Sequence, residues 1–183
     1  ARICNQVLLL DHGQTDYYGN DVGKAIDLYY SRFTHNERTI VFDDGTIQLM
    51  EVSFINAKSL DSKIAQLKWG DDFQITCKFK LKNQLNDLEF LIIIMDKEQR
   101  SIAMFERNKE NMVLGGDTTK LIEFRLFHEK MQLSKGLYSI NIVVRKSKSK
   151  TMLYRINGAL NFQMVHDEEI WEPFLLESKF CKF

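Results

Sequence analysis

The sequence has no excess of either charge: its 25 lysines and arginines are balanced by 25 aspartates and glutamates. A dedicated nucleic-acid binder needs a basic surplus to displace counterions, so the balance argues against that class, a local basic patch aside. Long apolar runs are missing as well. The longest, Phe90 to Met95, has the length of a strand, far short of the roughly 20 residues that span a bilayer, and no signal peptide is visible. Cysteine is scarce and odd in number. Cys4, Cys77 and Cys181 stand far apart, which speaks against a disulfide framework and for a reducing compartment. Cys77 falls in the apolar register of a strand and is expected to be a buried free thiol that behaves as a small hydrophobe.

The signatures of catalysis are absent too. There is no phosphate-cradling GxxxxGK[ST] loop, no dinucleotide GxGxxG and no nucleophile elbow GxSxG. His12, His35, His128 and His166 are scattered, none at ligand spacing to a cysteine or another histidine, so no metal site is expected. The carboxylate pairs Asp43-Asp44, Asp71-Asp72 and Glu168-Glu169 all fall in turns, where acidic residues serve local hydrogen bonding. A binding module fits this chemistry better than an enzyme.

What is present divides in two. Ile3 to Gly13 has a buried-strand pattern ending in a turn, and Gln14 to Gly19 is a short polar and aromatic return strand. Asn20-Asp21 can cap a helix whose apolar side is Val22, Ala25, Ile26, Tyr29 and Tyr30. A strand, a hairpin and one helix cannot bury a core of their own, so residues 1–33 are expected to be a remnant of a larger α/β domain. His35 to Asp44 is polar and Asp43-Asp44-Gly45 is a turn signal, making 34–45 the expected linker.

Residues 46–183 read as short strands separated by turns, with no helix: an antiparallel immunoglobulin-like or jelly-roll β-sandwich. Thr46 to Ala57 opens it, with Met50, Val52 and Phe54 inward and a bulge near Leu49. Ile64 to Leu67 is expected as a brief edge strand. In Asp72 to Lys82, Phe73, Ile75, Cys77, Phe79 and Leu81 share one face and Gln74, Thr76, Lys78 and Lys80 the other. Leu88 to Met95 is apolar on both faces, as in a covered central strand, and hairpins into Ser101 to Glu106. Arg107 to Asp117 is loop-like. Leu121 to Phe127 and Leu137 to Arg145 alternate again, and two final strands, Met152 to Ile156 and Ala159 to Val165, hinge at Asn157-Gly158.

The outward polar positions are the candidate binding surface. Amides, hydroxyls and cations on a firm sheet suit sugar hydroxyls, or a sugar bearing carboxylate or phosphate. Gln74, Thr76, Lys78, Arg125 and Asn141 form the favoured set, with Trp69 as a candidate aromatic platform. Phe105 and Phe127, both in the odd register, are further candidate platforms, with core or interface positions as the open alternatives, and Arg155, Asn161 and Gln163 make a second face.

Cys4 to Gly13, then Tyr18-Gly19-Asn20 and the helix to Tyr29-Tyr30, resemble the last strands and helix of an ABC-transporter nucleotide-binding domain, with Asn5 where an acidic residue is common. The remainder resembles the carbohydrate-binding C-terminal domain of Wzt, the ATPase subunit of polysaccharide (O-antigen) ABC exporters. The residues that carry this are Trp69-Gly70-Asp71 before Phe73-Gln74-Ile75, then Gly136-Leu137-Tyr138-Ser139-Ile140, then Asn157-Gly158-Ala159-Leu160-Asn161-Phe162.

The resemblance implies a homodimeric sandwich that recognises the non-reducing terminus of a lipid-linked O-antigen polysaccharide and couples chain completion to export. It implies a cytoplasmic location at the inner face of the bacterial inner membrane, with a permease partner reached through the ATPase portion. Walker and signature motifs would lie upstream of Ala1, so ATP and Mg would belong there, and this stretch would have no cofactor and no enzymatic activity. The competing reading is a structural dimerisation domain without direct glycan binding. The tail from Val165 is rich in apolar residues (Ile170, Trp171, Phe174, Leu175, Leu176, Phe180, Phe183) and is expected either to exchange between protomers or to pack on its own sandwich.

Overall fold

The computed structural model describes residues 5–22, 24–25, 28–29, 38–55, 58–59, 64–83, 85, 87–108, 121–168, 170, 172 and 173–178. The chain forms two compact units, residues 1–37 and 38–183. In the first, β1 (Val7–Asp11) pairs antiparallel with β2 (Gln14–Gly19). The two turn residues, His12 and Gly13, both have positive φ, as a two-residue hairpin of this hand requires. Helical backbone is described only at Val22, Lys24, Ala25, Leu28 and Tyr29, started by Asp21, whose carboxylate accepts the Lys24 N–H at 2.9 Å. Ile26, Tyr30, Cys4 and His35 lie outside the described residues. The expected helix remnant of an α/β domain is therefore not supported: the described part of this unit is a hairpin with a few helical positions.

The second unit is a β-sandwich. Its smaller sheet has the order β10-β7-β4, from Leu121–His128, Phe73–Leu81 and Ile47–Phe54. Its larger sheet runs β5-β6-β12-β11-β8-β9, from Lys58–Ser59, Ala65–Lys68, Met152–Val165, Gly136–Lys146, Leu88–Met95 and Ser101–Asn108. One more strand, β3 (Thr39–Asp43), pairs antiparallel with the first half of β12. The turn at Asp43-Asp44-Gly45 forms, with Gly45 at φ 78° and its N–H on the Asp43 carboxylate at 2.7 Å. Of the expected linker, Thr39–Asp43 is a strand instead, because Ile40, Val41 and Phe42 are β-branched or aromatic and β12 has a free edge for them. Ala65–Lys68 is likewise not an edge strand. It lies between β5 and β12, and its pairing with β12 is parallel.

The core lies between the sheets, and aromatic rings make its contacts. Phe79 of β7 meets Phe90 of β8 at 5.2 Å between centroids, and Phe90 meets Phe124 of β10 at 5.1 Å. Phe73 packs against Phe105 and Phe162, each at 5.7 Å. The β7 residues Phe73, Ile75, Cys77, Phe79 and Leu81 are all buried, as their alternation requires. Cys77 is a free thiol whose pKa burial pushes up to about 12, so it is inert packing. Tyr138 is buried with its hydroxyl donated to the Ser134 carbonyl at 2.8 Å, and burial, with Asp96 nearby, pushes its pKa up to about 12.

Two strand irregularities adjust the expected register. The bulge in β4 lies between Leu49 and Glu51, so Met50 is the extra residue and is exposed rather than inward, while Leu49 packs on the core. Met152–Val165 is one long strand, not two. Between Ile156 and Leu160 it bulges against the single residue Asn141, with Gly158 at φ 62°. The Asn141 side-chain carbonyl accepts the Gly158 N–H at 2.9 Å, supplying the partner that the bulge removes.

A buried carboxylate ties the far end of the larger sheet. Glu89 on β8 is 1% exposed and accepts hydrogen bonds from Arg145 of β11 and, at 2.6 Å, from Lys150 in the following turn. Burial alone would push its pKa up; the bonds from Lys150 and Arg145 outweigh that and hold the carboxyl below its usual 4.5. At the opposite end, residues 172–177 pack on their own domain. Ser134 N–H donates to the Pro173 carbonyl and Leu175 N–H to the Gln132 carbonyl, each at 3.0 Å, with Leu133 bridged to Phe174. The Trp69 indole N–H donates to the Leu175 carbonyl at 2.9 Å, and Lys130 pairs with Glu177 at 3.0 Å. Of the tail's other apolar residues, Trp171, Phe180 and Phe183 lie outside the described residues, as does Cys181.

Two predictions follow from these ties. Glu89→Gln should lower unfolding free energy at pH 7 by about 1–3 kcal/mol, the cost of losing charged hydrogen bonds at a buried site. A carboxyl whose folded pKa is depressed stabilises the protein above its ordinary pKa and loses that contribution as pH falls through the folded value. The gap between parent and variant in denaturant titrations should thus close on acidification below about pH 4; a gap independent of pH would show that the charge is not what matters. Trp69→Phe removes one hydrogen bond from the strap, worth ~1 kcal/mol. Amide exchange at Leu175 and Ser134 should then quicken by about fivefold with the core amides unchanged; equal rates would mean the strap is held without the indole.

Candidate binding face

The outer face of the smaller sheet follows from the pleat of β7. Its inward residues are apolar and its outward ones are Gln74, Thr76, Lys78 and Lys80, while β10 on one side and β4 on the other add their own outward residues in register. Four cross-strand rows result, the last of them Leu121, Lys80 and Gln48. In the first, Phe127 lies opposite Gln74, and Ile55, whose N–H donates to the Gln74 carbonyl at 3.1 Å, lies beyond it. In the second, Arg125 lies opposite Thr76 and Thr76 opposite Ser53; the two hydroxyls share a hydrogen bond of 3.0 Å. In the third, Lys78 lies between Glu123 and Glu51, with its ammonium 3.5 Å from the Glu123 carboxylate.

The structure thus brings Gln74, Thr76, Lys78 and Arg125 together on one face, as their parity requires. It does not bring Asn141 or Trp69 to them. Asn141 is on the outward side of the other sheet, 2% exposed and committed to the Gly158 bulge. Trp69 is in the turn after β6, holding the tail and touching the His166 ring edge-on at 5.3 Å. Both side chains act as scaffold here. Their residue types suited a sugar site, but a bulge and a strap, which only the pairing reveals, take up their polar groups.

Charge on this face is not evenly available. Lys78 has a carboxylate on each flanking strand, whereas Arg125 has no ion-pair partner among the described residues. Among the two candidate aromatic residues, Phe105 turns into the core, stacked on Phe73 at 18°, and Phe127 stays half exposed beside Gln74. Ser53 and Ile55 also belong to the face and were missed; the β4 bulge shifts the register by one, and only its position shows which residues point outward.

The outward side of the larger sheet is different in kind. Its central positions Leu91, Val143, Ser139 and Asn141 are buried, and the Ser139 hydroxyl has no partner among the described residues. Along β12, Gln163 accepts a bond from Gln66 at 2.9 Å and Arg155 donates to Asn157 at 3.3 Å. Gln163 and Arg155 of this second face are thus already bonded within it, while the smaller sheet leaves Gln74 and Arg125 open to solvent. No cluster of three or more metal-binding side chains is present among the described residues, and none of their helices is long and apolar enough to cross a membrane.

The fold is similar to the crystal structure of the C-terminal domain of Wzt, with a TM-score of 0.62 and 12% identity, covering 81% of this chain and 90% of that one. It is also similar to a Niemann-Pick type C2 protein from the Japanese carpenter ant, with a TM-score of 0.52 and 8% identity over 70% of this chain and 98% of that one. At these identities both likenesses speak to the sandwich alone. No curated protein matches the sequence. A family model, the Wzt C-terminal domain, matches residues 38–173, the whole span from β3 through the strap residue Pro173. The chain belongs to the Wzt C-terminal domain family.

Proposed function

We propose that this chain is the carbohydrate-binding part of a polysaccharide ABC exporter, recognising the non-reducing terminus of a lipid-linked O-antigen polysaccharide and so coupling chain completion to export. Its place would be the cytoplasmic face of the bacterial inner membrane, with the permease reached through an ATPase portion that holds ATP and Mg. The observation that carries the reading, beyond the family, is the open face of the smaller sheet. Gln74, Thr76 and Ser53 offer amide and hydroxyl groups to sugar hydroxyls, and Arg125 offers beside them a guanidinium with no ion-pair partner among the described residues. These groups can bind and orient a sugar, and no pair of them is arranged to cleave one.

A second reading has one observation in its favour. Ile40, Val41 and Phe42 of β3 are exposed on a strand with no further strand partner among the described residues, an edge suited to a structural dimerisation domain. The two readings part on ligand dependence. Calorimetric titration of the full chain with O-antigen polysaccharide, with and without its terminal modification, should give binding that depends on the terminus. Arg125→Ala should weaken it by about tenfold, a loss of ~1.4 kcal/mol, with an unchanged melting temperature. Absence of any polysaccharide binding by a chain that is dimeric in sedimentation would instead select the structural reading.

A further inference from the structure

We propose that Phe127 is the stacking platform for a single pyranose ring, and that Arg125, two residues away on the same strand face, receives an anionic substituent of that ring. This rests on the glycan-binding reading above. Phe127 is 50% exposed on a face whose other β10 residues are Leu121, Glu123 and Arg125, and its ring has no aromatic partner among the described residues to explain its place there. The opposite end of the row is Ile55, 43% exposed, with Gln74 between them. The row therefore presents apolar, amide, apolar across three strands about 4.8 Å apart. One such step, from Phe127 to Gln74, is about the width of one sugar ring, which has an apolar C–H face to lay on the phenyl and hydroxyls at its rim for the amide.

The rows beyond set the orientation. Along a strand, like-facing residues are about 6.8 Å apart, so a substituent on a ring stacked at Phe127 reaches the Arg125 row and its Ser53–Thr76 hydroxyl pair. The next row disfavours a second anion beside Arg125, because it sets two carboxylates, Glu123 at 3.5 Å and Glu51 on the other strand, against the single ammonium of Lys78; Lys80 lies one row further on, between Leu121 and Gln48. The ligand fitted by this pattern is a neutral or singly charged pyranose at a chain end, not a polyanion running along the sheet. A protein partner fits less well. A stable seam needs about 800 Å² per partner with an apolar centre, whereas the apolar side chains here are dispersed: Phe127 and Ile55 stand on opposite outer strands with Gln74 between them, Met50 at the β4 bulge and Leu121 at the start of β10.

The test uses the full chain, labelled with ¹⁵N, titrated with methyl glycosides of glucose, mannose and galactose, with methyl glucuronoside and with glucose 6-phosphate, alongside the O-antigen polysaccharide. Shifts should centre on Phe127, Gln74 and Ile55 amides. Phe127→Ala should weaken binding by about tenfold and Phe127→Trp should retain it within about threefold, as expected for stacking. Arg125→Ala should weaken the acidic sugars more than the neutral ones, and Lys148→Ala, in the distant β11–β12 turn, should change nothing. Circular dichroism melts confirm that the variants are folded; Phe127 is exposed enough for both replacements to fold. If sugars bind the parent and Phe127→Ala equally, the platform assignment is overturned while glycan binding stands. If no sugar or polysaccharide binds the parent, the glycan reading itself fails and this assignment with it. A change of oligomeric state in Phe127→Ala without loss of sugar affinity would mark the face as a protein seam, which also overturns it.

Discussion

The pleat of one strand, β7, organises both the interior and the exterior of this domain. Its five inward side chains, from Phe73 to Leu81, are buried between the sheets, each burial worth roughly 1.5–3 kcal/mol. They meet Phe90, Phe105 and Phe162 from three strands of the larger sheet, so a slip of one residue would expose the whole set and bury Gln74, Thr76 and Lys78 in its place. The register that secures the core thus also fixes which polar groups stand in a row outside. Neighbours β10 and β4 are held to the same register by the ladder, and this is why Arg125 and Ser53 arrive beside Thr76 rather than elsewhere.

Polar groups inside the larger sheet act as fasteners. Glu89 joins two strands and a turn through Arg145 and Lys150, and Asn141 satisfies the amide that the β12 bulge leaves without a ladder partner. Each is a buried polar group that would be costly alone and is stable because its partners come from different elements. The strap at the other end works in the same way at the backbone level: residues 172–177 lie along 132–134, and the indole of Trp69 secures them.

A face of this composition is better matched to recognition than to chemistry. Its Glu123 carboxylate pairs with Lys78, its hydroxyls bond each other, and the groups left open, Arg125, Lys80 and Gln74, are fixed charges and an amide. Membership of the Wzt C-terminal domain family agrees with a carbohydrate-binding domain of an ABC exporter. The burial of Leu91, Val143, Ser139 and Asn141 on the outward side of the larger sheet distinguishes it from the open face of the smaller one.

The sequence by itself determined the all-β sandwich, the core of β7, the buried inert Cys77 and the shared face of Gln74, Thr76, Lys78 and Arg125. All of these rest on period-two alternation, a local property readable strand by strand. It also carried the family resemblance, through turn-and-strand segments that the fold uses as such. Tertiary structure decided the rest. Whether Ile40-Val41-Phe42 is linker or strand depends on whether another strand offers an edge, and β12, distant in sequence, does. Whether Asn141 and Trp69 are ligand groups or scaffold depends on a bulge at Gly158 and a tail that returns from residue 172. Whether Phe105 or Phe127 faces water depends on which side of its sheet the other sheet packs. Alternation sorts side chains into two sets, but only the partner strand and the opposing layer determine which set is inside.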